Sequence, residues 1–189
     1  MSINTTTYLN EIEAGFRQAI DEVKSLVENT EGVSLNTPEA PGKWHMLQCI
    51  EHMSRATEVY VNNVSEKLQN GALPAASQAY KGHWKGRLFA KMNAPKPGDE
   101  IPMKVKTFKT MEPPQELDAQ TVLNRFYSVH EQMIATINSS RDINIDKVKV
   151  ATALGPMVKL RVGEAYRFVL AHTERHLVQL KRIKSTVTN

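Results

Sequence analysis

Apolar residues recur every three or four positions in four separate segments of this 189-residue sequence. That spacing places them on one face of an α-helix, so it predicts four amphipathic helices. Helices that each carry one wide apolar face favour an all-α four-helix bundle over a sheet protein. The predicted helices run over Thr5 to about Asn29, Trp44 to about Gln69, Asp118 to about Asn138, and Val162 to about Lys184.

The segment between the second and third helices is long and rich in proline. Residues 72–116 contain six prolines, which exclude a continuous long helix there. We predict a crossover with a short helix at Lys85–Met92 and a weak strand at Met103–Thr107. A crossover of this length can return along a whole helix, so helices 2 and 3 are predicted to run parallel. Long connections inside compact domains often carry function.

The connection between the third and fourth helices is predicted to be irregular. It covers Arg141–Leu160, with a short strand at Lys147–Val150 and a turn at Gly155-Pro156. The sequence has no internal repeat and no low-complexity tract. We therefore predict a single domain over residues 1–189, which is an ordinary length for one hydrophobic core.

Charge and composition narrow the classes of partner. The formal net charge of +4 comes from 24 basic and 20 acidic residues spread along the chain. Without a basic stripe interleaved with aromatic residues, nucleic-acid binding is not expected. No stretch approaches the roughly 20 apolar residues of a membrane span. Cys49 is the single cysteine, and Met1–Leu9 lacks a signal-peptide pattern, so we expect a soluble cytoplasmic protein.

Two histidines of the fourth helix, His172 and His176, are spaced one helical turn apart. Residues at this spacing lie on one helix face, so both imidazoles can reach one metal ion at the Zn–N distance of ~2.0–2.1 Å. The residue after His172 is Thr173 and not the glutamate of the zinc-protease motif, which disfavours a metalloprotease. For this pair alone, a hydrogen-bonded role in the core remains the alternative.

His52 on the second helix supplies a third candidate ligand. It lies beside the apolar residues Ile50 and Met53, and metal sites in bundles take ligands from facing helices. One histidine from helix 2 and two from helix 4 would leave coordination positions open, as catalytic sites do. Three imidazoles accept several divalent metals, of which we expect Ni or Zn, with Mn, Fe or Co as alternatives.

Two segments together resemble the signatures of the DinB-like family. Gly42–Met53 has a tryptophan that opens helix 2 and a histidine two turns later, and Ala171–Gln179 has an HxxxH pair followed by a hydrophobic residue and a glutamine. The resemblance extends over nearly the whole chain. It implies an up-down-down-up four-helix bundle, a divalent metal on His52, His172 and His176, and a homodimer. Family members include thiol-dependent S-transferases that use bacillithiol or mycothiol, and proteins that resemble metal-dependent hydrolases.

The other histidines receive weaker assignments. His45, at the start of the second helix, is expected to face solvent. His130, beside the apolar stripe of the third helix, is a candidate fourth ligand or supporting group. His83 is assigned to a surface loop or to a lid. If the protein is an enzyme, we expect the crossover carrying His83 and Trp84 to cover the metal.

Side chains next to the three histidines are interpreted by their helical positions. Adjacent helical residues point about 100° apart, so Glu51 and Glu174 are not expected to bind the same metal. Glu174 is placed with Arg175 in a surface or dimer-face pair. Gln179 or Gln48 can fix the tautomer of an imidazole. Cys49 is expected to pack in the core or near the metal. Trp44 is expected to staple the start of helix 2.

Three functions stay open at this level. The first is an enzyme acting on a small molecule, in which thiol transfer is favoured over hydrolysis because no Asp or Glu base is evident beside the histidines. The second is a non-catalytic metal- or ligand-binding module, and the third is a purely structural dimeric bundle. Measuring the metal content of the purified protein separates the purely structural bundle, which binds no stoichiometric metal, from the other two functions.

Overall fold

The computed structural model describes residues 2–28, 30–101 and 107–188 of the chain, without the side chain of Pro156. It confirms the four predicted long helices and the all-α bundle, to which only short strands are added. Within the described ranges, no helix is both long and apolar enough to cross a membrane. The helices are α1 (Thr5–Glu28), α2 (Gly32–Leu35), α3 (Met46–Gln69), α4 (Trp84–Asn93), α5 (Ala119–Ser139) and α6 (Val162–Val187).

Two hydrophobic clusters fix the directions of the long helices. One cluster joins the first half of α1 and of α6 to the second half of α3 and of α5. The other cluster joins the opposite halves. Helices α3 and α5 therefore run parallel to each other and antiparallel to α1 and α6, as predicted, which is the up-down-down-up arrangement. Representative members are Phe16, Tyr60, Met133 and Val169 in the first cluster, and Val23, Met46, Phe126 and Leu180 in the second.

Side-chain caps set where the long helices begin. The Asp118 carboxylate accepts the Thr121 N–H at 2.8 Å, which confirms the predicted start of α5. At α3 the cap is His45, whose Nδ1 accepts the Gln48 N–H, while the Gln48 side chain accepts the His45 N–H. Helix α3 thus begins at Met46, two residues after the predicted start.

The crossover between α3 and α5 folds against the bundle. Its helix α4 confirms the short helix predicted at Lys85–Met92, and a 3₁₀ turn follows at Lys109–Met111. Strand β2 (Ala79–Tyr80) pairs with β1 (Ile3–Asn4) next to the start of α1. The strand predicted at Met103–Thr107 lies, apart from Thr107, outside the described residues.

The second part of the connection between α5 and α6 forms a β-hairpin, so the prediction that it is irregular apart from one short strand was wrong for residues 149–160. Strand β3 (Lys149–Thr152) overlaps the predicted short strand and pairs antiparallel with β4 (Gly155–Arg161). The turn lies at residues 153–154 and not at Gly155-Pro156. Buried Val150 and Leu160 face each other in the register, and burying them against the helices stabilises the hairpin.

Candidate metal centre

Helices α3 and α6 bring His52, His172 and His176 together. One nitrogen from each ring lies within 4.8 Å of the others. The Nε2 atoms of His52 and His172 are 3.2 Å apart, and the three ring centroids are separated by 4.5 to 5.0 Å. The predicted set therefore forms a compact nitrogen cluster, and its members come from two antiparallel helices.

Hydrogen bonds orient two of the three rings. The Nδ1–H of His52 donates to the Met111 carbonyl oxygen at 2.9 Å, and the Nδ1–H of His176 donates to Gln179 Oε1 at 2.9 Å. Each bond leaves the Nε2 lone pair of that ring free to bind a metal. His172 Nδ1 is buried and has no hydrogen-bond partner in the described part of the chain.

Burial keeps the three rings neutral. It lowers the pKa of His52, and it lowers the pKa of His176 to about 3, with a further contribution from the nearby His52. Burial, His176, His52 and the Arg175 guanidinium together hold the pKa of His172 well below its usual range. Neutral imidazole is the form that binds a metal, so the cluster is ready to bind at neutral pH.

The spacing of the cluster suits one divalent metal ion. Two nitrogens that each lie ~2.0–2.1 Å from the same ion are about 3.2 Å apart when the angle between the two bonds is roughly 100°. His52 Nε2 and His172 Nε2 have this separation. Three neutral nitrogen donors with no carboxylate among them suit Zn, Ni or a similar ion.

The cluster faces a cavity of about 870 Å³. Trp44 closes one side, with its ring centroid 5.0 Å from that of His52 and 6.5 Å from that of His176. The lining combines apolar side chains such as Phe89 and Phe168 with charged side chains such as Glu39 and Arg182. A metal held by the three histidines would therefore be accessible to a small molecule.

Comparison with protein-family models matches residues 16–180 to the DinB superfamily. The chain belongs to the DinB superfamily. A solved structure, YfiT from Bacillus subtilis, aligns with a TM-score of 0.60 and 14% identity over 94% of this chain and 86% of that chain. YfiT is described as a probable metal-dependent hydrolase with an unusual four-helix bundle topology. At this identity the likeness shows the fold alone. A search of curated proteins finds no match.

His45 and Gln48 have capping roles in this DinB-superfamily chain, and the prediction that His45 faces solvent was wrong. The His45 ring is buried because the segment before α5 covers it, and its Nε2–H donates to the Gln115 carbonyl oxygen at 3.3 Å. The Gln48 amide donates to the Pro114 carbonyl oxygen at 3.2 Å. The hydrogen bonds described for Gln48 go to His45 and Pro114, so of the two glutamines proposed to fix a tautomer of the cluster it is Gln179 that bonds to one of its rings.

His130 lies outside the cluster, so its assignment as a fourth ligand was wrong. Its ring packs on Phe126, with centroids 3.9 Å apart, and its Nδ1–H donates to the Phe126 carbonyl oxygen at 2.9 Å. The ring is fully buried, which lowers the pKa of His130 to about 4. His130 Nε2 has no hydrogen-bond partner among the described residues.

The crossover does border the cavity, but through residues other than His83 and Trp84. His83 caps α4 by accepting the Lys85 N–H, and Trp84 is 57% exposed on the outside of that helix. The crossover residues that line the cavity include Phe89, Met92, Phe108, Met111 and Glu112. The helical period could have predicted Phe89 and Met92 as cavity-lining residues, because apolar residues three positions apart lie on one face of the short helix.

The neighbouring acidic residues and Cys49 point away from the cluster. Glu51 forms ion pairs with Arg55 and Arg125. Glu174 pairs with Arg167 at 3.6 Å, so the pair predicted with Arg175 is replaced by a different arginine. The Cys49 thiol is buried in the core, and burial raises its pKa.

Sequence reasoning missed the charged lining of the cavity. Arg175 and Arg182 lie with His172 and the predicted Gln179 in one row of α6 at intervals of three or four residues, which is the signal that could have found the two arginines. Arg182 holds Glu39 through two hydrogen bonds of 2.7 and 2.8 Å. The loop carboxylates Glu39 and Glu112 leave no local pattern in the sequence because the fold alone brings them to the cavity.

Proposed function

We propose that this chain binds one divalent metal ion through His52, His172 and His176 and acts as a metal-dependent enzyme on small molecules. The observation that carries the proposal is the convergence of three neutral ring nitrogens within 4.8 Å at the wall of a large cavity. Ni or Zn is the expected ion, and Mn, Fe or Co are the alternatives.

For the reaction we propose transfer of a low-molecular-weight thiol to an electrophile. A divalent ion held by neutral ligands keeps its +2 charge, which lowers the pKa of a coordinated thiol. The protein's part is to orient the nitrogens through Met111 and Gln179 and to bind both reactants in the cavity. In such a transfer a carbon–sulfur bond forms, the bond to the leaving group breaks, and the thiol proton departs with that group.

Hydrolysis is the second candidate, and Glu112 is the observation that favours it. This carboxylate lines the cavity directly after Met111, whose carbonyl contacts His52. A carboxylate at that place can act as the general base that sequence reasoning did not find beside the histidines. Glu39 also lines the cavity, but Arg182 holds it in an ion pair.

A screen of thiols with model electrophiles and with esters, with and without added Ni or Zn, separates the two candidates. We expect metal-dependent turnover that requires the thiol and that survives Glu112→Gln. Metal-dependent ester hydrolysis without thiol, abolished by Glu112→Gln, would show that hydrolysis is the reaction. Metal binding without turnover in either assay would favour a non-catalytic metal- or ligand-binding module.

The homodimer and the cytoplasmic location remain predictions. The dimer rests on the family resemblance, and sedimentation at micromolar concentration tests it directly. A species with the mass of one 189-residue chain would refute it.

A further inference from the structure

Helix α4 exposes apolar side chains on the face that points away from the bundle. Gly86 and Ala90 are buried on its inner face. On the opposite face Trp84, Leu88 and Met92 follow one another at intervals of four residues and are 57%, 47% and 37% exposed. Each four-residue step turns by only about 40°, so the three side chains form one row roughly 80° wide, which we call the α4 stripe. Large apolar side chains that are exposed together indicate an interaction surface.

Basic side chains border the α4 stripe on both sides. At about 100° per residue, Arg87 and Lys91 lie along one side of it and Lys85 lies along the other. Arg87 donates to two backbone carbonyl oxygens, which are neutral acceptors. Lys81 precedes the helix, and residues 71–98 contain five basic residues and no acidic one. The apolar row is therefore framed by positive charge.

The carboxylates at the start of α4 are bound to other groups. Glu164 is buried and accepts the backbone N–H groups of His83 and Arg161. Asp146 accepts the Lys81 backbone N–H and forms an ion pair with the Arg161 guanidinium. In the described part of the chain, no ion pair includes any of the basic residues around the stripe, which are Lys81, Lys85, Arg87 and Lys91.

The acidic residues that follow α4 in the sequence lie beyond the stripe. Glu100 forms an ion pair with Lys96, which is the fifth basic residue of the segment. Asp99 lies near Lys181 of α6, and Glu112 belongs to the cavity wall. The four basic residues beside the stripe therefore keep an excess of positive charge along α4.

We propose that the α4 stripe and its flanking basic residues bind the protein reversibly to the surface of an anionic lipid bilayer. A helix with an apolar face bordered by Lys and Arg lies in the plane of the bilayer interface, with its apolar side chains at the acyl boundary and its cations at the anionic headgroups. Trp84 suits this boundary, because tryptophan is enriched where headgroups meet acyl chains. Met92 also lines the cavity, so the bound face lies beside the cavity.

A bilayer fits this surface better than a second copy of the chain or an acidic peptide does. A symmetric contact between two copies would bring the basic residues of both α4 helices together, and like charges repel. Peptides are bound in grooves or at sheet edges, whereas the α4 stripe lies on the outer face of a helix.

Co-sedimentation of the full-length chain with lipid vesicles tests the proposal. We expect vesicles that contain phosphatidylglycerol to bind it at least about 10-fold more tightly than vesicles of phosphatidylcholine alone, and high salt to weaken the binding. Trp84→Ser combined with Leu88→Ser removes most of the stripe, and Lys85→Gln combined with Lys91→Gln removes two flanking charges. Each double variant should weaken binding to the anionic vesicles at least about 10-fold.

Matched double variants elsewhere on the surface serve as controls. Val33→Ser combined with Met157→Ser removes two exposed apolar side chains, and Lys67→Gln combined with Lys149→Gln removes two exposed charges. We expect both controls to bind the anionic vesicles within about twofold of wild type. Circular dichroism of all four variants verifies that each is folded.

Fluorescence shows whether Trp84 enters the bilayer. Brominated acyl chains quench a tryptophan that reaches them, so we expect quenching in wild type and its loss in Trp84→Phe, which leaves Trp44 as the single tryptophan. Unchanged vesicle binding in either α4 double variant, or no quenching of wild type, would overturn the proposal. Binding to soluble polyglutamate or to an oligonucleotide as tight as to anionic vesicles would also overturn it, because the surface would then take an acidic polymer.

Discussion

At the scale of single residues, partners decide what each histidine does. His52 and His176 each donate one nitrogen to a fixed acceptor and turn the other toward the cluster. His45 is equally buried, but both of its nitrogens are used in backbone hydrogen bonds. Burial alone therefore does not mark a candidate ligand, whereas the convergence of ring nitrogens from three histidines does.

Gln179 is expected to support metal binding through His176. Replacing it with leucine removes the acceptor that orients the ring, so we predict a loss of about 10- to 100-fold in metal affinity. Gln179→Glu keeps an acceptor and should retain the affinity. Competition with a chromogenic chelator measures both variants, and equal affinity in wild type and Gln179→Leu would show that the hydrogen bond is dispensable.

His130 is expected to make stability depend on pH. Its pKa is about 4 in the folded protein and near 6.5 in the unfolded chain, so below pH 6.5 the unfolded state binds a proton that the folded state does not. Stability is therefore full above pH 6.5 and falls as the pH drops toward 4.

Urea unfolding of wild type and His130→Leu checks this dependence. Between about pH 7.5 and about pH 5, wild type should lose about 2 kcal/mol more unfolding free energy than the variant. Subtracting the variant removes the contribution of the other titrating groups. Parallel losses in both proteins would contradict the assignment.

The sequence predicted the three cluster histidines but not all of their surroundings. His172 and His176 follow from local spacing, and His52 follows from the facing-helix argument. The hydrogen bond of His45 to Gln115 joins residues that are 70 positions apart in the sequence. The hydrogen bond of His52 to Met111 joins residues that are 59 positions apart. Such contacts leave no periodic trace because they join a helix to a loop.

At the scale of elements, α4 is held against the start of α6. The buried Glu164 carboxylate accepts the backbone N–H groups of His83 and Arg161, which ties the beginning of α4 to that of α6. Gly86 makes the close approach possible, since an added Cβ would lie 2.5 Å from Glu164 side-chain carbons. Helix α4 carries Phe89 and Met92, so this contact also positions one wall of the cavity.

Gly86→Ala is expected to destabilise the protein. Glu164 is fixed by its hydrogen bonds and cannot move aside freely, so crowding should lower the free energy of unfolding by about 1–3 kcal/mol despite the better helix propensity of alanine. Gly32→Ala is the control, because an added Cβ there meets nothing within 4 Å. Denaturant unfolding measures both variants, and equal stabilities would refute the close contact.

The elements differed in how readily the sequence predicted them. The long helices were predicted because their apolar period persists over twenty residues or more, and α4 was predicted in the proline-free stretch between Pro74 and Pro95. The hairpin was missed because β4 begins with Gly155-Pro156, which is typical of a turn. Pairing with β3 and burial of Leu160 outweigh this local preference.

At the scale of the whole molecule, topology brings the three candidate ligands together. The antiparallel packing of α3 and α6 places the first half of α3 beside the second half of α6. His52 from the first half of α3 and His172 and His176 from the middle of α6 then meet at the cavity. The long crossover, which lets α3 and α5 run parallel, also brings Met111 to His52.

The metal content of protein purified without a histidine tag tests the central claim most directly. We predict one divalent ion per chain in wild type and in the control His83→Ala, whose ring lies outside the cluster. His52→Ala, His172→Ala and His176→Ala should each lose it, because two imidazoles alone bind far more weakly than three. Stoichiometric metal retained by any one of these three variants, or a metal-free wild type after growth with Zn and Ni, would contradict the account.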